Sequence, residues 1–338
     1  MGKFKFDVAI GNPPYQEDTD SDSTRMPPIY NIFMDEAYKC AEKVELITPA
    51  RFLFNAGYTP KDWNEKMLND KHFKIIHYEP VSAKVFANTD IKGGVTVSYR
   101  DESKDFGAIG IFTKYDELNS ILQKVRAIST ESLASIISSP LSYGLTERMK
   151  KDHPDLLPRL RTSAFTNLAD IFFDEQPNDG NTYIQMVGLL KGKRVRKYVR
   201  KDYISDGSGT LDKYTFLLSK ANGAGTFGEK LAEGLIAEPG AGYTQTFIGI
   251  GAFDNADEAS NVNKYIHTKF ARAMLGVLKI TQDCPGPKWL YVPLQEFTSS
   301  SDIDWSQSIR SIDQQLYKKY GLDEKEISFI EKNVKEMA

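Results

Sequence analysis

The chain of 338 residues contains only two cysteines, Cys40 and Cys284, and only four histidines. Two thiols support neither a disulfide scaffold nor a cysteine zinc site, and they favour a reducing, cytoplasmic setting. The histidines show no metal-ligand spacing, so we expect no metal site. Long apolar runs are also absent. Since no run reaches the roughly 18 residues that a membrane span needs, we expect no membrane partner.

An excess of charge of one sign is missing as well. The chain carries 43 lysines and arginines against 46 aspartates and glutamates, a net charge of -3. The whole molecule is therefore not an obvious polyanion binder, and its charge has to be read locally. The hydrophobic fraction of 41% is typical of a globular protein with one large domain or two.

Apolar periodicity predicts an α/β fold. Residues 4–11, 44–48, 73–79, 95–100 and 108–113 are strand-like, whereas residues 29–42, 61–71 and 115–128 have helical patterns. This alternation favours a largely parallel, doubly wound sheet, with the later strands forming an antiparallel edge. The rhythm changes after residue 114, and we place a domain boundary near residue 125. A mixed α+β domain follows, with a long helix predicted at 256–279 and an amphipathic tail at 306–336.

The tetrapeptide Asn12-Pro13-Pro14-Tyr15 directly follows the first predicted strand. In an open α/β sheet, ligands bind at the carboxyl ends of strands. Two consecutive prolines fix the backbone and remove two donors, which leaves carbonyl oxygens, one asparagine amide and an aromatic ring. An ordinary turn is the alternative interpretation.

Such a turn suits methylation of an exocyclic amine. The lone pair of adenine N6 is delocalised into the ring, and accepting hydrogen bonds from both amino hydrogens lets the nitrogen rehybridise. The Asn12 Oδ1 and the Pro13 carbonyl are candidate acceptors, in a geometry that the turn fixes in advance. Tyr15 would stack on a base that has left the duplex.

The chain resembles the Eco57I-like adenine-N6 DNA methyltransferases of restriction–modification systems. The resemblance rests on GNPPYQ (11–16), VELITPARFLFNAG (44–57), the strand and hairpin within 75–102, and parts of 265–305. It implies that residues 1–125 form part of a catalytic domain, the C-terminal part of a doubly wound methyltransferase sheet, and that 126–338 form a target-recognition domain for double-stranded DNA. It also implies S-adenosylmethionine as methyl donor, with Asn12 and Pro14 touching the donor, and Phe86 backing the flipped base.

In the order that this resemblance implies, a glycine-rich donor loop precedes the tetrapeptide by some tens of residues. Only eleven residues precede Asn12 here. We therefore expect an incomplete donor site, an isolated chain that is inactive, an N-terminal segment of the same protein as partner, and self-association through exposed apolar surface. Gly223, Gly225 and Gly228 have the spacing G-x-G-x-x-G and are either a circularly permuted donor site or a glycine-rich loop of the recognition region.

A basic run stands out against the negative net charge. Seven of the eleven residues from 191 to 201 are basic: Lys191, Lys193, Arg194, Arg196, Lys197, Arg200 and Lys201. Such a concentration suits contacts with DNA phosphates, and a solvated charged hairpin is the alternative. A looser group comprises Arg148, Lys150, Lys151, Arg159 and Arg161, which are equally typical of a helix surface.

Two other functions use the same features. The chain could be a DNA-binding specificity module without catalysis, or a protein-glutamine methyltransferase, because an amide nitrogen poses the same chemical problem. The large basic region argues against the second. The acids within 170–175 lack the lysine and strand arrangement of a magnesium nuclease, so we do not expect DNA cleavage.

We predict that these 338 residues alone bind S-adenosylmethionine weakly or not at all, because the tetrapeptide offers only part of a donor site. Isothermal titration calorimetry measures this directly, with Asn12→Ala as the control for any heat that the tetrapeptide produces. A micromolar dissociation constant would contradict the prediction.

Overall fold

The computed structural model describes residues 5–17, 27–55, 58–91, 93–156 and 163–337. The chain divides into two compact units, Met1–Asn119 and Ser120–Ala338. The polar, proline-tipped sequence of residues 16–28 predicts a loop, and residues 18–26 of it lie outside the described residues. The two flanks of that loop are joined by an antiparallel bridge between Gln16 and Pro28.

A four-stranded sheet with two helices forms most of the first unit. In chain order its elements are β1 (Phe6–Gly11), α1 (Tyr30–Cys40), β2 (Ala41–Pro49), α2 (Lys61–Asn69), β3 (Phe73–Glu79) and β4 (Val95–Asp101). The strand order is β1-β2-β4-β3. β1 and β2 are parallel, whereas β4 is antiparallel to both of its neighbours. β1, β2 and β3 therefore run in one direction, and their carboxyl ends lie at one edge of the sheet.

This sheet corrects two predictions. It is mixed, since one of its three strand pairs is parallel, although the predicted antiparallel edge of β3 and β4 is confirmed. The strand predicted at 108–113 is wrong, because no residue there is extended and paired. Gly107 and Gly110 have φ of 76° and 67°, and the Gly110 amide donates to the Leu68 carbonyl instead of a strand.

The core of the first unit lies between the two helices and one face of the sheet. Tyr30 and Met34 on α1 are spaced four residues apart, as are Trp63 and Met67 on α2, so each pair lies on one helix face. These side chains pack with buried residues of the sheet. The Trp63 ring meets Tyr30 edge-on, with centroids 6.4 Å apart. Both helices therefore cover the same face of the sheet. A doubly wound arrangement, which has helices on both faces, remains a prediction.

The edge strand β1 carries exposed apolar side chains. Val8 is half-exposed and Ile10 is 76% exposed, whereas Ala9 between them packs against the core. On α1, Ile32 and Phe33 are also exposed. An unpaired strand edge with apolar side chains is prone to pairing with another chain. The self-association expected from the sequence would use this surface.

The second unit combines short sheets with helices. After α3 (Asp116–Ile128), which crosses the division between the units, the strands are β5 (Ile137–Ser138), β6 (Tyr143–Leu145), β7 (Tyr183–Leu190), β8 (Lys193–Arg200), β9 (Ile204–Asp206), β10 (Tyr214–Ser219), β11 (Leu235–Ala237), β12 (Ala241–Tyr243) and β13 (Phe247–Phe253). The helices are α4 (Glu147–Asp152), α5 (Ala164–Asn167), α6 (Ala256–His267), α7 (Lys269–Leu275), α8 (Ile309–Lys319) and α9 (Glu324–Asn333). The sheets have the orders β11-β10-β13-β5, β12-β7-β8 and β6-β9. None of the helices in the described ranges has the length and apolarity to cross a membrane.

The helix predicted at 256–279 is divided at Thr268. This residue is extended, with ψ of 152°, and its Oγ1 accepts a hydrogen bond from the Ala271 amide. Thr268 therefore ends α6 and is the N-cap of α7. The charged tail predicted at 306–336 forms two helices, α8 and α9, with Asp323 and Glu326 in a capping box at the start of α9.

Asp313 on α8 is a buried carboxyl at the amino end of α7. It accepts hydrogen bonds from the amides of Phe270 and Lys269, at 2.9 and 3.0 Å. Burial is the largest influence and raises the pKa of Asp313 to about 6. Repulsion from Glu331 adds to that rise, while the two amides and Arg272 oppose it. The carboxyl therefore binds its proton more tightly in the folded chain than in the unfolded chain.

We predict that Asp313 makes the second unit less stable as the pH rises. Because the folded pKa is raised, the favourable contribution is complete below the unfolded value of 3.8 and is lost as the pH passes 6. In urea titrations, the free energy of unfolding of Asp313→Asn relative to the native chain should rise by about 2 kcal/mol between pH 4 and pH 7. Asp170→Asn, at an exposed position of the same unit, is the control, and a pH-independent difference for Asp313→Asn would contradict the prediction.

Candidate active site and basic hairpin

The tetrapeptide Asn12–Tyr15 lies at the sheet edge where β1, β2 and β3 end. Gly11, the last residue of β1, pairs with Leu46 of β2, so the turn begins beside the carboxyl-terminal part of β2. Asn12 and Pro14 are exposed, and Pro13 and Tyr15 are partly buried. The Asn12 amide has no hydrogen bond to any of the described residues. It therefore presents an acceptor to solvent at the place where ligands bind in α/β sheets.

Tyr15 is held by its backbone and by its ring. Its carbonyl accepts from the Ile29 amide at 3.2 Å, and its ring packs against the core of the first unit. The hydroxyl is buried without a hydrogen-bond partner among the described residues. Burial raises the pKa of Tyr15 to about 12, so the phenol stays neutral at physiological pH. A neutral, anchored ring suits stacking and does not suit proton transfer.

Gly94 joins the ends of β2 and β3 at this edge. Its carbonyl accepts from the Ala50 amide at 3.0 Å, just after β2. Gly94 has φ of 77°, and a Cβ there would lie 2.3 Å from the Glu79 carbonyl oxygen. Only glycine fits both the backbone conformation and the close approach. The loop before β4 thus fixes where the strands on either side of β4 end.

An aromatic cluster at the same edge was not predicted from the sequence. Phe54, in the turn after β2, contacts Tyr78 at the end of β3, and both contact Phe112, with ring centroids 5.5–5.7 Å apart. Phe112 is buried, whereas Phe54 is 37% exposed. Their positions in the sequence could have indicated it, because Phe54 follows one predicted strand and Tyr78 lies at the end of another.

Phe86 follows β3 and a 3-10 turn at Ser82–Lys84, and it is partly buried. Its amide donates to the Ser82 carbonyl, and its own carbonyl accepts from Thr89. Two strands separate β3 from β1, so these strands are about 15 Å apart. Tyr15 thus follows one edge strand of the sheet, β1, and Phe86 follows the other, β3. The stacking role of Phe86 remains a prediction.

The glycine-rich segment Gly223–Gly228 is occupied by a side chain of the protein itself. The Glu229 carboxylate accepts from the amides of Ala224 and Gly225, at 2.7 and 2.9 Å, and forms an ion pair with buried Lys279. Gly225 also packs against the backbone of Thr281, where a Cβ would lie 2.3 Å from the amide nitrogen. No helix follows the segment. The strand, loop and helix context of a dinucleotide-type donor site is therefore absent from 214–234, and the permuted-site interpretation is wrong.

The basic run lies on a β-hairpin. β7 and β8 are antiparallel, with Leu190 opposite Lys193, so Lys191 and Gly192 form the two-residue turn. Both turn residues have positive φ, 50° and 77°. This is the arrangement of a type I′ turn, whose twist matches that of the two strands. The hairpin is further fixed by pairing of Tyr198 with Phe173.

The seven cations of the basic run differ in their interaction partners. Lys197 is 9% exposed and pairs with Asp174 at 2.7 Å. The Arg194 guanidinium donates to the Glu233 carbonyl at 2.7 Å and lies over the Phe247 ring. Arg200 pairs with Asp202 and Asp152, and Lys201 lies 4.0 Å from Asp212.

The three remaining cations lie in the turn and in the first half of β8, and we call them the hairpin tip. Lys191, Lys193 and Arg196 are exposed and have no ion pair among the described residues. Arg196 makes only a long hydrogen bond, 3.4 Å, to Gln185. These three are therefore the residues best placed to meet phosphates.

The looser basic group is mostly paired within α4. Arg148 lies 2.8 Å from Asp152, and Lys150 pairs with Glu147. Arg159 and Arg161 lie outside the described residues. The helix-surface interpretation is therefore supported for the part that is described.

Part of the first unit matches a known protein family. Residues 1–86 match the family described as "Eco57I restriction-modification methylase". An "uncharacterized adenine-specific methylase" of Mycoplasma pneumoniae (strain ATCC 29342 / M129 / Subtype 1) is 33% identical over 98 residues, which cover 28% of this chain and 23% of that protein. The chain thus spans less than a quarter of this curated relative. The Eco57I-like adenine methyltransferase resemblance is confirmed in this part, and its extension to 265–305 lies outside the family match.

Two solved structures are similar over most of the chain. One is the Type IIL restriction-modification enzyme MmeI in complex with DNA, at TM-score 0.36 and 9% identity, covering 97% of this chain and 56% of that one. The other is the type IIG restriction endonuclease BpuSI, at TM-score 0.33 and 10% identity, covering 96% and 52%. Scores this low carry no argument about fold or function.

Proposed function

We propose that this chain supplies the target-base pocket and the DNA-recognition region of a site-specific adenine-N6 DNA methyltransferase. The observation that carries the proposal is the position of Asn12–Tyr15 at the carboxyl edge of β1, within the segment that matches the restriction-modification methylase family. An exposed amide acceptor beside an anchored ring is the arrangement that a flipped adenine needs.

The chemistry follows from the electronic structure of adenine. The Asn12 Oδ1 and the Pro13 carbonyl accept hydrogen bonds from the two N6 hydrogens, which localises the lone pair on nitrogen. A bound sulfonium donor would supply the methyl group to this nitrogen with loss of its S–C bond, and the resulting cationic amine would release a proton to solvent. Since Tyr15 stays neutral, its part is to stack on the base and offset the loss of base stacking in the duplex, a few kcal/mol.

S-adenosylmethionine supplies the electrophilic methyl group in such a reaction. Of the residues described here, Asn12 and Pro14 are exposed at the right edge to touch it. The glycine-rich segment 223–228 does not fit, because Glu229 already holds its amides. We therefore propose that the chain holds at most part of the donor and is inactive by itself.

We propose that the hairpin tip contacts the phosphates of double-stranded DNA. Lys191, Lys193 and Arg196 concentrate exposed positive charge in a chain of net charge -3, which suits phosphate contacts rather than base readout. If DNA binding occurs without capture of adenine, the chain is a specificity module without catalysis. If a glutamine peptide binds and DNA does not, it is a protein methyltransferase.

We predict that the chain captures an unpaired adenine. A short duplex with adenine opposite an abasic site should bind more tightly than the same duplex with thymine opposite the abasic site, because the extruded base enters the pocket without breaking a pair. Tyr15→Ala should weaken that preference roughly tenfold, since base–aromatic stacking is worth about 1–3 kcal/mol. Phe33→Ala, an exposed aromatic on α1, is the matched control. Equal affinity for the two duplexes would overturn the adenine pocket.

We also predict that duplex binding depends steeply on salt through the hairpin tip. Replacing Lys191, Lys193 and Arg196 by glutamine should lower the slope of log K against log salt by up to roughly 2.7, because three phosphate contacts are lost. The charge-matched control replaces Lys318, Lys325 and Lys332, which are exposed on α8 and α9. Fluorescence anisotropy with a labelled duplex gives both slopes, and equal slopes would exclude the tip as the DNA surface.

A further inference from the structure

The hairpin of β7 and β8 carries no acidic residue of its own. Residues 183–201 contain seven lysines and arginines and no aspartate or glutamate. Because side chains alternate between the two faces of a strand, four residues of β8 lie on one face: Arg194, Arg196, Tyr198 and Arg200. On β7, Tyr183 and Gln185 lie on that same face, opposite Arg200 and Tyr198. Positive charge, hydroxyl groups and one amide therefore share this face of the hairpin.

The backbone of Gln185 is fixed from both sides. Gln185 pairs with Tyr198 of β8 and, on its other side, with Ala241 of β12. The Gln185 backbone amide donates to the Gly240 carbonyl at 3.1 Å. Tyr198 is held in turn by two backbone hydrogen bonds with Phe173, each 2.8 Å long. The position of Gln185 is therefore set by its neighbours, while its side chain is only partly buried.

Two side chains orient the amide group of Gln185. Its Nε2 donates to the Tyr198 hydroxyl at 2.9 Å, and its Oε1 accepts a long hydrogen bond, 3.4 Å, from Arg196. A glutamine amide has two N–H donors and two lone pairs on its oxygen. One donor and one acceptor of Gln185 therefore have no partner among the described residues. Since the amide is already oriented, it loses little conformational freedom when it binds a ligand.

The unused donor and acceptor of Gln185 match the major-groove edge of adenine. Adenine presents N7 as an acceptor and its N6 amino group as a donor there, and glutamine binds both at once. Arg196 is exposed, and its contact with Gln185 is long, so its guanidinium can also meet a phosphate near that base. Strands of a sheet are known to read DNA grooves. The charge of the hairpin and the hydrogen-bonding pattern of the amide thus both favour duplex DNA.

We infer that Gln185 reads an adenine of the DNA target through its major-groove edge, with Tyr198 as a positioning residue that holds the amide. This adenine stays paired in the duplex and is distinct from the base captured at Asn12–Tyr15. The inference rests on the proposed function, because it assumes that the hairpin tip contacts DNA phosphates. It adds a contact that depends on base sequence, which the cations of the hairpin tip do not provide.

The test uses the 338-residue chain and a pool of randomised duplexes, from which bound sequences are selected and counted. The native chain is compared with Gln185→Ala, Gln185→Glu and Tyr198→Phe. The matched controls are Gln314→Ala, an exposed glutamine on α8, and Tyr183→Phe, which removes a hydroxyl that donates to Asp179. Circular dichroism checks that each variant is folded, and the two conservative variants carry the test if Gln185→Ala does not fold.

We expect the native chain to enrich a motif with adenine at one position. Gln185→Ala should lose roughly tenfold of that preference while binding the unselected pool within about twofold. Gln185→Glu offers only acceptors, so cytosine, whose N4 amino group donates, should replace adenine. Tyr198→Phe should weaken the preference by less, because the amide is present but no longer held. Both controls should keep the native motif.

Four results would contradict the inference. An unchanged motif in Gln185→Ala and Gln185→Glu removes this residue from sequence reading but leaves the proposed function intact. Weaker binding of all sequences alike in these variants makes Gln185 a structural residue. DNA binding by the native chain without any enrichment also excludes base reading by the hairpin. Absence of DNA binding even at low salt overturns the proposed function, and the assignment of Gln185 with it.

Discussion

The parallel pairing of β1 with β2 is the interaction on which the candidate site depends. It sets the register in which Gly11 lies beside Leu46, and so it brings the turn at Asn12 to the edge where β2 and β3 also end. A register shift of one residue would exchange the two faces of β1, which would bury Ile10 and expose Ala9. Because this register holds, the asparagine acceptor and the anchored ring of Tyr15 reach the edge that also carries the aromatic cluster around Phe54.

The basic hairpin shows why a count of cations overstates a binding surface. Lys197 and Arg194 stabilise the hairpin and its neighbours through Asp174 and the Glu233 carbonyl, so their charges are partly used within the fold. The exposed charge without an ion pair lies in the type I′ turn and at two positions on β8, Lys193 and Arg196. A phosphate backbone that meets this tip would be contacted by a narrow protrusion, which suits positioning more than enclosure.

Much of the first unit could be predicted from the sequence. The strand before Asn12, the helix at Tyr30 and the strands at 73–79 and 95–100 follow from strong periodicity and clear turn residues. The absence of a strand at 108–113 could not be predicted in this way. The apolar residues there favour a strand, whereas Gly107 and Gly110 adopt positive φ. The pairing of β4 between β2 and β3 also depends on tertiary contacts, and it made the sheet mixed rather than largely parallel.

The site could be predicted where its residues are contiguous. Asn12–Tyr15 is a local motif, and its position at the end of a strand was foreseeable. The partners that remove cations from solvent are not local: Asp174 precedes Lys197 by 23 residues, and Glu233 follows Arg194 by 39. The break at Thr268 was within reach, since threonine followed by a helix former is an N-cap signal.

Glu229 gives the glycine-rich segment a built-in ligand. A carboxylate tethered beside the amides of Ala224 and Gly225 is present at an effective concentration far above that of any free anion in solution. Phosphate groups of a nucleotide or of DNA would have to displace both this carboxylate and its buried lysine partner. The Glu229 carboxylate therefore blocks anion binding by this segment. Gly225 packs against Thr281 and Gly228 against Asn333, so these glycines have a packing role rather than a role in recognition.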